Sequence, residues 1–290
     1  MLPPADTILQ LIVQSFLLGS VYVLMAVGLN VIYGVVKAIN WAHGAFVMLG
    51  AYMAYWLYEL YGLSPYASAI LSALALAAIG ALSHELLMKP FFEMRYFRAI
   101  TLVVTYGLAI LLINISRYLW TDVLRGVNLG VPPVSVRSVS ISRPFLYGGV
   151  VAIALSISFY LMLKRTQIGR AARAVSESRR HAMLIGINPN AMSRLMVISG
   201  AAMAGVTGSL ISTIFAVTPE MGSVLGIKAI TIVILGGLGS YAGALIGGLM
   251  IGFAEVLGTY FLGARYQPLL YFFTLLIVLS IKPTGIAGEE

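Results

Sequence analysis

The chain has 290 residues, of which 60% are hydrophobic and only 10% are charged, and its mean hydropathy is +0.96. Soluble globular domains carry about 25% charged residues, so this composition excludes a water-soluble domain and indicates a surface that is solvated by lipid. The absence of cysteine excludes disulfides, thiol nucleophiles and cysteine-ligated metals. The net charge of +8 is spread over loops, as membrane topology requires, and does not indicate nucleic-acid binding.

Long continuous apolar runs follow one another along the chain and favour helices that cross a hydrocarbon core about 30 Å thick. The predicted spans cover 8–35, 39–60, 66–87, 100–119, 145–163, 191–217, 241–262 and 268–281, and a shorter run covers 224–235. The shorter run ends in a glycine-rich break at 236–240. The predicted fold class is therefore an all-α polytopic membrane protein, with about eight transmembrane helices and a half-length broken segment, in a single domain spanning 1–290.

A basic polar island at 164–194 interrupts this pattern and holds seven of the eighteen basic residues. It cannot cross a bilayer, and its apolar residues at helical spacing predict an amphipathic helix over 172–185. With the island in the cytoplasm, twelve basic residues lie on its side and six, including Lys228, on the other. This excess places the loop 164–191 and the C-terminus in the cytoplasm, and makes 120–145 the largest outer loop.

The residues of the island alone leave two interpretations open. An amphipathic basic helix can rest on anionic lipid headgroups. It can equally be a coupling helix that fits a groove on a cytoplasmic motor subunit. Composition does not separate the two.

Polar groups inside spans are costly in hydrocarbon and are candidates for a substrate pathway. Asn30, His43 and Glu255 are of this kind, although Glu255 can also be explained as a carboxylic acid bonded to a neighbouring helix. Gly237 and Gly239 lie at the break, where a helix start with unpaired N–H groups attracts anions. The alternative for these glycines is close helix packing.

The sequence predicts no catalytic residue and no metal site. The stretch 222–228 resembles a phosphate-binding loop but has the wrong spacing and no hydroxyl after its lysine, so the chain is not expected to hydrolyse ATP. The histidines His43, His84 and His181 are far apart and form no HExxH motif. Nothing in the sequence forms a Ser-His-Asp set or a carboxylate pair.

Several separated stretches together identify a family. They are GLNVIYG at 28–34, INWAHGAF at 39–46, LGAY at 49–52, GRAARA at 169–174, the glycine-rich run at 236–248 and KPTG at 282–285. With these stretches in this order, the chain resembles the permeases of high-affinity branched-chain amino acid ABC transporters, specifically the H-type subunit. Many relatives carry an acidic residue after an Ala-Gln stretch in the island, where this chain has Ser176-Glu177-Ser178.

The resemblance implies a transmembrane permease subunit of an importer in the cell inner (plasma) membrane. Its partners would be a homologous M-type permease, two ATPase subunits that carry ATP and Mg²⁺, and a solute-binding protein, with membrane lipid around it and no cofactor of its own. Family members carry branched-chain or other amino acids, urea or short amides; the further alternative is an ion-coupled secondary transporter. The family's coupling helix lies in the island, and its expected ATPase-contacting residues here are Gly169, Arg170, Arg173, Glu177, Ala182 and Gly186.

Overall fold

The computed structural model describes residues 4–136 and 139–288, and helices make up most of them. The helices are α1 (Ala5–Val36), α2 (His43–Tyr61), α3 (Pro65–Ser83), α4 (Phe97–Trp120), α5 (Arg143–Arg165), α6 (Gln167–Glu177), α7 (Arg179–Leu184), α8 (Pro189–Ile211), α9 (Met221–Gly236), α10 (Tyr241–Leu262) and α11 (Gln267–Ile281). A short antiparallel hairpin, β1 (Val134–Val136) and β2 (Val139–Ile141), lies in the loop before α5.

The eight predicted spans coincide with α1 to α5, α8, α10 and α11, and the half-length segment coincides with α9, which has 16 residues. Within the described residues, seven helical segments are long and apolar enough to cross a membrane, and α9 is a shorter apolar helix. The last of the seven, Ala264–Ile281, consists of a 3-10 turn and α11. The remaining long helix, α2, packs against α8 and α9. The predicted fold class is confirmed, and the chain is a multi-pass membrane protein. Arg137, one of the six basic residues counted on the outer side, and Glu289 and Glu290 of the C-terminus lie outside the described residues.

The centre of the bundle is α1, which is buried on all sides over most of its length. It packs against α5, α8, α9 and α10, while α8 also packs against α2 and α3. A helix that is apolar all round is expected in such an interior position. The outer helices α4 and α11 instead expose apolar side chains, as lipid-facing helices do.

Small residues let α2, α3 and α8 approach closely. A Cβ on Gly50 would lie 2.6 Å from the carbonyl oxygen of Gly205, and one on Gly205 would lie 2.5 Å from the carbonyl oxygen of Ser72. The Ser209 hydroxyl donates to the Ser72 hydroxyl at 2.9 Å across the same contact. Between membrane helices such small-residue contacts replace the hydrophobic effect as the source of packing energy.

We expect Gly205→Val to destabilise the bundle by about 1–3 kcal/mol, because the added methyl groups meet backbone that cannot move aside. Gly107→Val in α4 is the matched control, since a Cβ there meets no atom within 4 Å. Thermal unfolding in detergent measures both variants. Equal midpoints for the two would show that the contact between α3 and α8 is loose.

Candidate functional site

The polar island forms two helices, so the single helix predicted over 172–185 is wrong. Ser178 separates α6 from α7 in an extended conformation, with φ −155° and ψ 115°, and its hydroxyl accepts a hydrogen bond from the His181 amide at 3.2 Å. Thr166 caps the start of α6 in the same way, accepting from the Gly169 amide at 3.2 Å. Serine and threonine stabilise helix starts through such bonds, and here a serine begins a new helix in the middle of the island.

The first of the two helices, α6, is fastened to the bundle. Gly169, Ala172 and Val175 are buried on the face that meets it. A side chain at Gly169 would collide with the carbonyl group of Leu163 at the end of α5. The Arg173 guanidinium donates to that same carbonyl oxygen, which places a cation at the C-terminal end of α5, where the helix dipole favours it.

A further contact ties α6 to α1. The ammonium group of Lys37, which follows α1, donates to the Ser176 hydroxyl at 3.0 Å. The side chains of Arg170 and Glu177 are exposed on the outer face of α6. The predicted coupling residues of α6 therefore divide into a buried contact at Gly169, an anchoring cation at Arg173 and two exposed charges.

The second helix, α7, projects from the bundle and ends in an apolar tip formed by Met183, Leu184 and Ile185, which are 56%, 80% and 69% exposed. Ala182 is the one residue of α7 that faces inward and is buried. Gly186 turns the chain back with a φ of +81°, a conformation that other residues rarely adopt. An exposed apolar cluster on a polar segment marks a surface for another protein or for a membrane.

Arg179 holds the base of α7 in place. Its guanidinium donates to the Asn190 side-chain oxygen at 2.7 Å and to the Ser193 hydroxyl at 3.2 Å, and lies 4.4 Å from the centre of the Phe92 ring. Burial lowers the pKa of Arg179. These contacts connect α7 to the first two turns of α8 and to Phe92 in the segment between α3 and α4. Nothing in the sequence pattern predicted them.

The break between α9 and α10 is held by a side chain of α1. Gly237 and Gly239 have φ values of +103° and +87°. The Asn30 side chain accepts from the Gly239 amide at 2.7 Å and donates to the Ser240 carbonyl at 2.6 Å, and the Ser240 hydroxyl accepts from the Gly243 amide at 3.1 Å. The Gly239 and Gly243 N–H groups lie at the break, where the sequence predicted an anion site. Both are bonded to side-chain oxygens of the protein.

The last carbonyl groups of α9 also have partners. The Ile286 amide donates to the Leu235 carbonyl and the Ala287 amide to the Gly236 carbonyl, both at 2.9 Å. The segment after α11 therefore completes the hydrogen bonding of a helix that ends inside the bundle.

A cavity of about 610 Å³ lies between the ends of α1 and α5, the inner face of α6, part of α8 and the α9–α10 break. Asn30 and Gly239, two predicted pathway residues, line it together with Arg173, a predicted coupling residue. The fold thus brings predicted pathway residues and a predicted coupling residue to one cavity, although they are far apart in the sequence.

The other two polar pathway candidates lie in the core. His43 is 1% exposed, with its Nε2 3.0 Å from the Met25 carbonyl oxygen. Glu255 is 3% exposed and pairs with Lys228, at 2.7 Å between Oε2 and Nζ. The Tyr22 hydroxyl lies 2.9 Å from each of these two atoms. The structure thus shows the interhelical bonding that was the alternative explanation for Glu255.

Lys228 was counted among the outer basic residues, and the structure corrects this assignment. Its side chain is 6% exposed and its ammonium group lies 4.5 Å from the centre of the Tyr22 ring. The sequence could have indicated this pair. A lysine and a glutamate each stand alone in neighbouring apolar runs, and a charge buried in a membrane protein needs a partner. Without Lys228 the basic residues divide twelve to five.

Within the described residues, no cluster of three or more His, Asp or Glu could hold a metal ion.

The chain is similar to known proteins over nearly its whole length. The family described as "Branched-chain amino acid transport system / permease component" matches residues 11–279. The chain is 33% identical to the high-affinity branched-chain amino acid transport system permease protein BraD of Pseudomonas aeruginosa, over 97% of this chain and 96% of that protein. It is 32% identical to LivH of Escherichia coli K12, a permease protein of the same description, with the same coverage.

Among solved structures, PsaBC from Streptococcus pneumoniae in complex with Fab is similar, with a TM-score of 0.52 and 16% identity over 97% of this chain and 94% of that one. At this identity the similarity supports the fold alone.

We expect Lys228→Met and Glu255→Leu to destabilise the protein by about 3–5 kcal/mol each, since either leaves a buried charge without its partner. The double variant should recover most of that loss, because an apolar pair can replace a buried ion pair. A double-mutant cycle from unfolding in detergent measures the coupling.

The exposed pair of Lys89 and Glu85, 2.6 Å apart, serves as the control, and Lys89→Met should cost about 0–1 kcal/mol. Additive losses at 228 and 255 would contradict the pairing.

Proposed function

We propose that this chain, which belongs to the branched-chain amino acid transport system permease family, forms half of the membrane channel of an ATP-driven importer. The proposed cargo is a branched-chain amino acid or a related amino acid. The family match over residues 11–279 carries this proposal, and the apolar tip on α7 supports it because it offers a contact for a separate motor subunit.

The proposed assembly has further subunits. A homologous M-type permease supplies the other half of the channel, and two ATPase subunits bind ATP and Mg²⁺. A solute-binding protein delivers the cargo, since the outer loop 120–145 is too small to form a receptor domain. In this proposal residues 1–290 form a single domain in the inner membrane, with 164–191 and the C-terminus in the cytoplasm. The twelve-to-five division of basic residues supports that orientation.

In the proposed coupling step, closure of the ATPases moves α7, and the two anchored ends of the island pass the motion on. Arg179 connects α7 to α8 through Asn190 and Ser193. Arg173 connects α6 to the end of α5. The bias toward one state comes from nucleotide and from the docked binding protein, because only differential interaction shifts a conformational equilibrium.

The proposed coupling residues meet the α9–α10 break at the cavity, where Asn30 and Gly239 bond to each other. Lys37 and Ser176 connect α6 to α1, and about two helical turns earlier in α1, Asn30 holds the α9–α10 break. A displacement of α6 is thereby transmitted to Gly239. The exposed charges of α6, Arg170 and Glu177, take no part in this path and are proposed instead to face the ATPase.

An ion-coupled secondary transporter is less well supported. Such a protein needs an intramembrane acid that its ion can reach, and Glu255 is the candidate acid. That carboxylate is 3% exposed and pairs with Lys228 at 2.7 Å. The ion pair therefore leaves Glu255 without the access that an ion site requires.

The cargo proposal is tested by binding on the partner solute-binding protein. Leucine, isoleucine and valine should bind it and drive ATP-dependent uptake when the complete importer is reconstituted in proteoliposomes. Uptake that responds to urea or short amides alone would refute the cargo while leaving the permease role intact. Uptake by this chain alone under an ion gradient, without ATPase subunits, would refute the importer role.

The contact role of the apolar tip is tested by Leu184→Asp. Retention of the ATPase subunits on the purified permease should fall by about tenfold, because an unpaired charge buried in an interface costs at least about 1.4 kcal/mol. Leu124→Asp in the outer loop is the matched control, since Leu124 is 74% exposed and Leu184 80%. Equal ATPase retention in both variants would place the motor contact elsewhere.

A further inference from the structure

The cavity between α1, α5, α6, α8 and the break has one mainly apolar wall. Val31 and Val35 of α1, Leu163 of α5, Ala172 of α6 and Met196 of α8 form it. Its volume of about 610 Å³ lies within the range of about 300–1,000 Å³ that is usual for small-molecule sites. The wall therefore suits part of an apolar chain.

Two cationic side chains lie at the same cavity and a third lies close to it. Lys164 and Arg173 line it, and Arg173 is held in position by its bond to the Leu163 carbonyl. Lys37 reaches Ser176, another lining residue, at 3.0 Å. The ligand that matches this arrangement has an apolar body and an anionic group.

The lining also discriminates between kinds of anion. No carboxylate is among the described residues that line the cavity, and Glu177 of α6 is not one of them. An ammonium group placed there would meet Lys164 and Arg173 without an acidic partner. A zwitterion such as a free amino acid or phosphatidylethanolamine is therefore a poorer match than an anion that has no ammonium group.

We propose that this cavity binds the headgroup of an anionic membrane phospholipid of the phosphatidylglycerol class. The phosphate lies between Lys164 and Arg173, and the first methylene groups of the chains lie against Val31, Val35 and Met196. Helix α5 ends its span at Lys164 and Arg165, the depth at which headgroups are found. This site goes beyond the proposed transport function and does not depend on it.

Gly34 allows the cavity to be filled without a change of charge. It lines the cavity, and a Cβ at Gly34 meets no atom within 4 Å. Gly34→Leu should therefore fold normally and exclude the lipid. Gly107→Leu is the matched control, because position 107 is equally open and lies away from the cavity in α4.

The test is native mass spectrometry of the purified, delipidated full chain, titrated with dioleoylphosphatidylglycerol or dioleoylphosphatidylethanolamine. The wild type should bind one phosphatidylglycerol in preference to phosphatidylethanolamine. Lys164→Gln with Arg173→Gln should weaken that binding about 25-fold, since each cation beside an anionic lipid contributes about fivefold. Gly34→Leu should abolish it, and Gly107→Leu should retain it.

A second control removes two positive charges from the island without touching the cavity. Arg165→Gln with Arg180→Gln should bind phosphatidylglycerol as the wild type does, because neither residue lines the cavity. Equal binding of the two lipids, or unchanged binding by Gly34→Leu, would overturn the proposal. So would binding of sn-glycerol 3-phosphate as tight as that of the lipid, which would indicate a soluble anion.

Displacement of the lipid by leucine would also overturn it, because the cavity would then belong to the solute pathway. A failure of the proposed transport function would leave this experiment unaffected, because the lipid titration needs neither ATPase subunits nor a binding protein. The two failures can therefore be distinguished.

Discussion

The hydrocarbon interior of a membrane offers no water to backbone groups, so a helix that stops inside the bundle must find its hydrogen-bond partners in the protein. The break between α9 and α10 is where this chain meets that constraint. Asn30 pairs with the Gly239 amide and the Ser240 carbonyl, and the segment after α11 pairs with the last carbonyls of α9. The first and last thirds of the chain are thereby joined at one point.

The same constraint explains the buried charges. Lys228 on α9 and Glu255 on α10 neutralise each other, and Tyr22 on α1 bonds to both. The triad joins the same three helices that meet at the break. Because either buried charge would be strongly unfavourable alone, these contacts select one arrangement of α1, α9 and α10 over its alternatives, and they give a short helix such as α9 a fixed position.

Much of this architecture could be predicted because hydropathy and glycine content are local properties. The spans, the half-length segment and the island all follow from runs of neighbouring residues. The contacts could not be predicted in this way. Asn30 and Ser240 are 210 positions apart. Lys228 was counted with the outer basic residues although it lies in the apolar run 224–235, because its pairing with Glu255 exists only after α9 and α10 pack. The break at Ser178 was missed because serine is tolerated inside helices, and only its bond to the His181 amide shows that it caps one.

The break at Ser178 also bears on the two interpretations of the island, which need not exclude each other. A single rigid helix would have to contact both the lipid headgroups and the motor subunit with one surface. Two helices can divide the work: α6 keeps its buried face on α1 and α5 and brings Arg173 to the cavity, while α7 presents apolar residues away from the bundle. In the proposed importer, force applied at α7 reaches α8 through Arg179. It reaches α6 through the chain at Ser178 and through the packing of α6 against α8. The lipid contact then lies on the cavity side of α6, the apolar motor contact lies on α7, and Arg179 anchors α7 to α8.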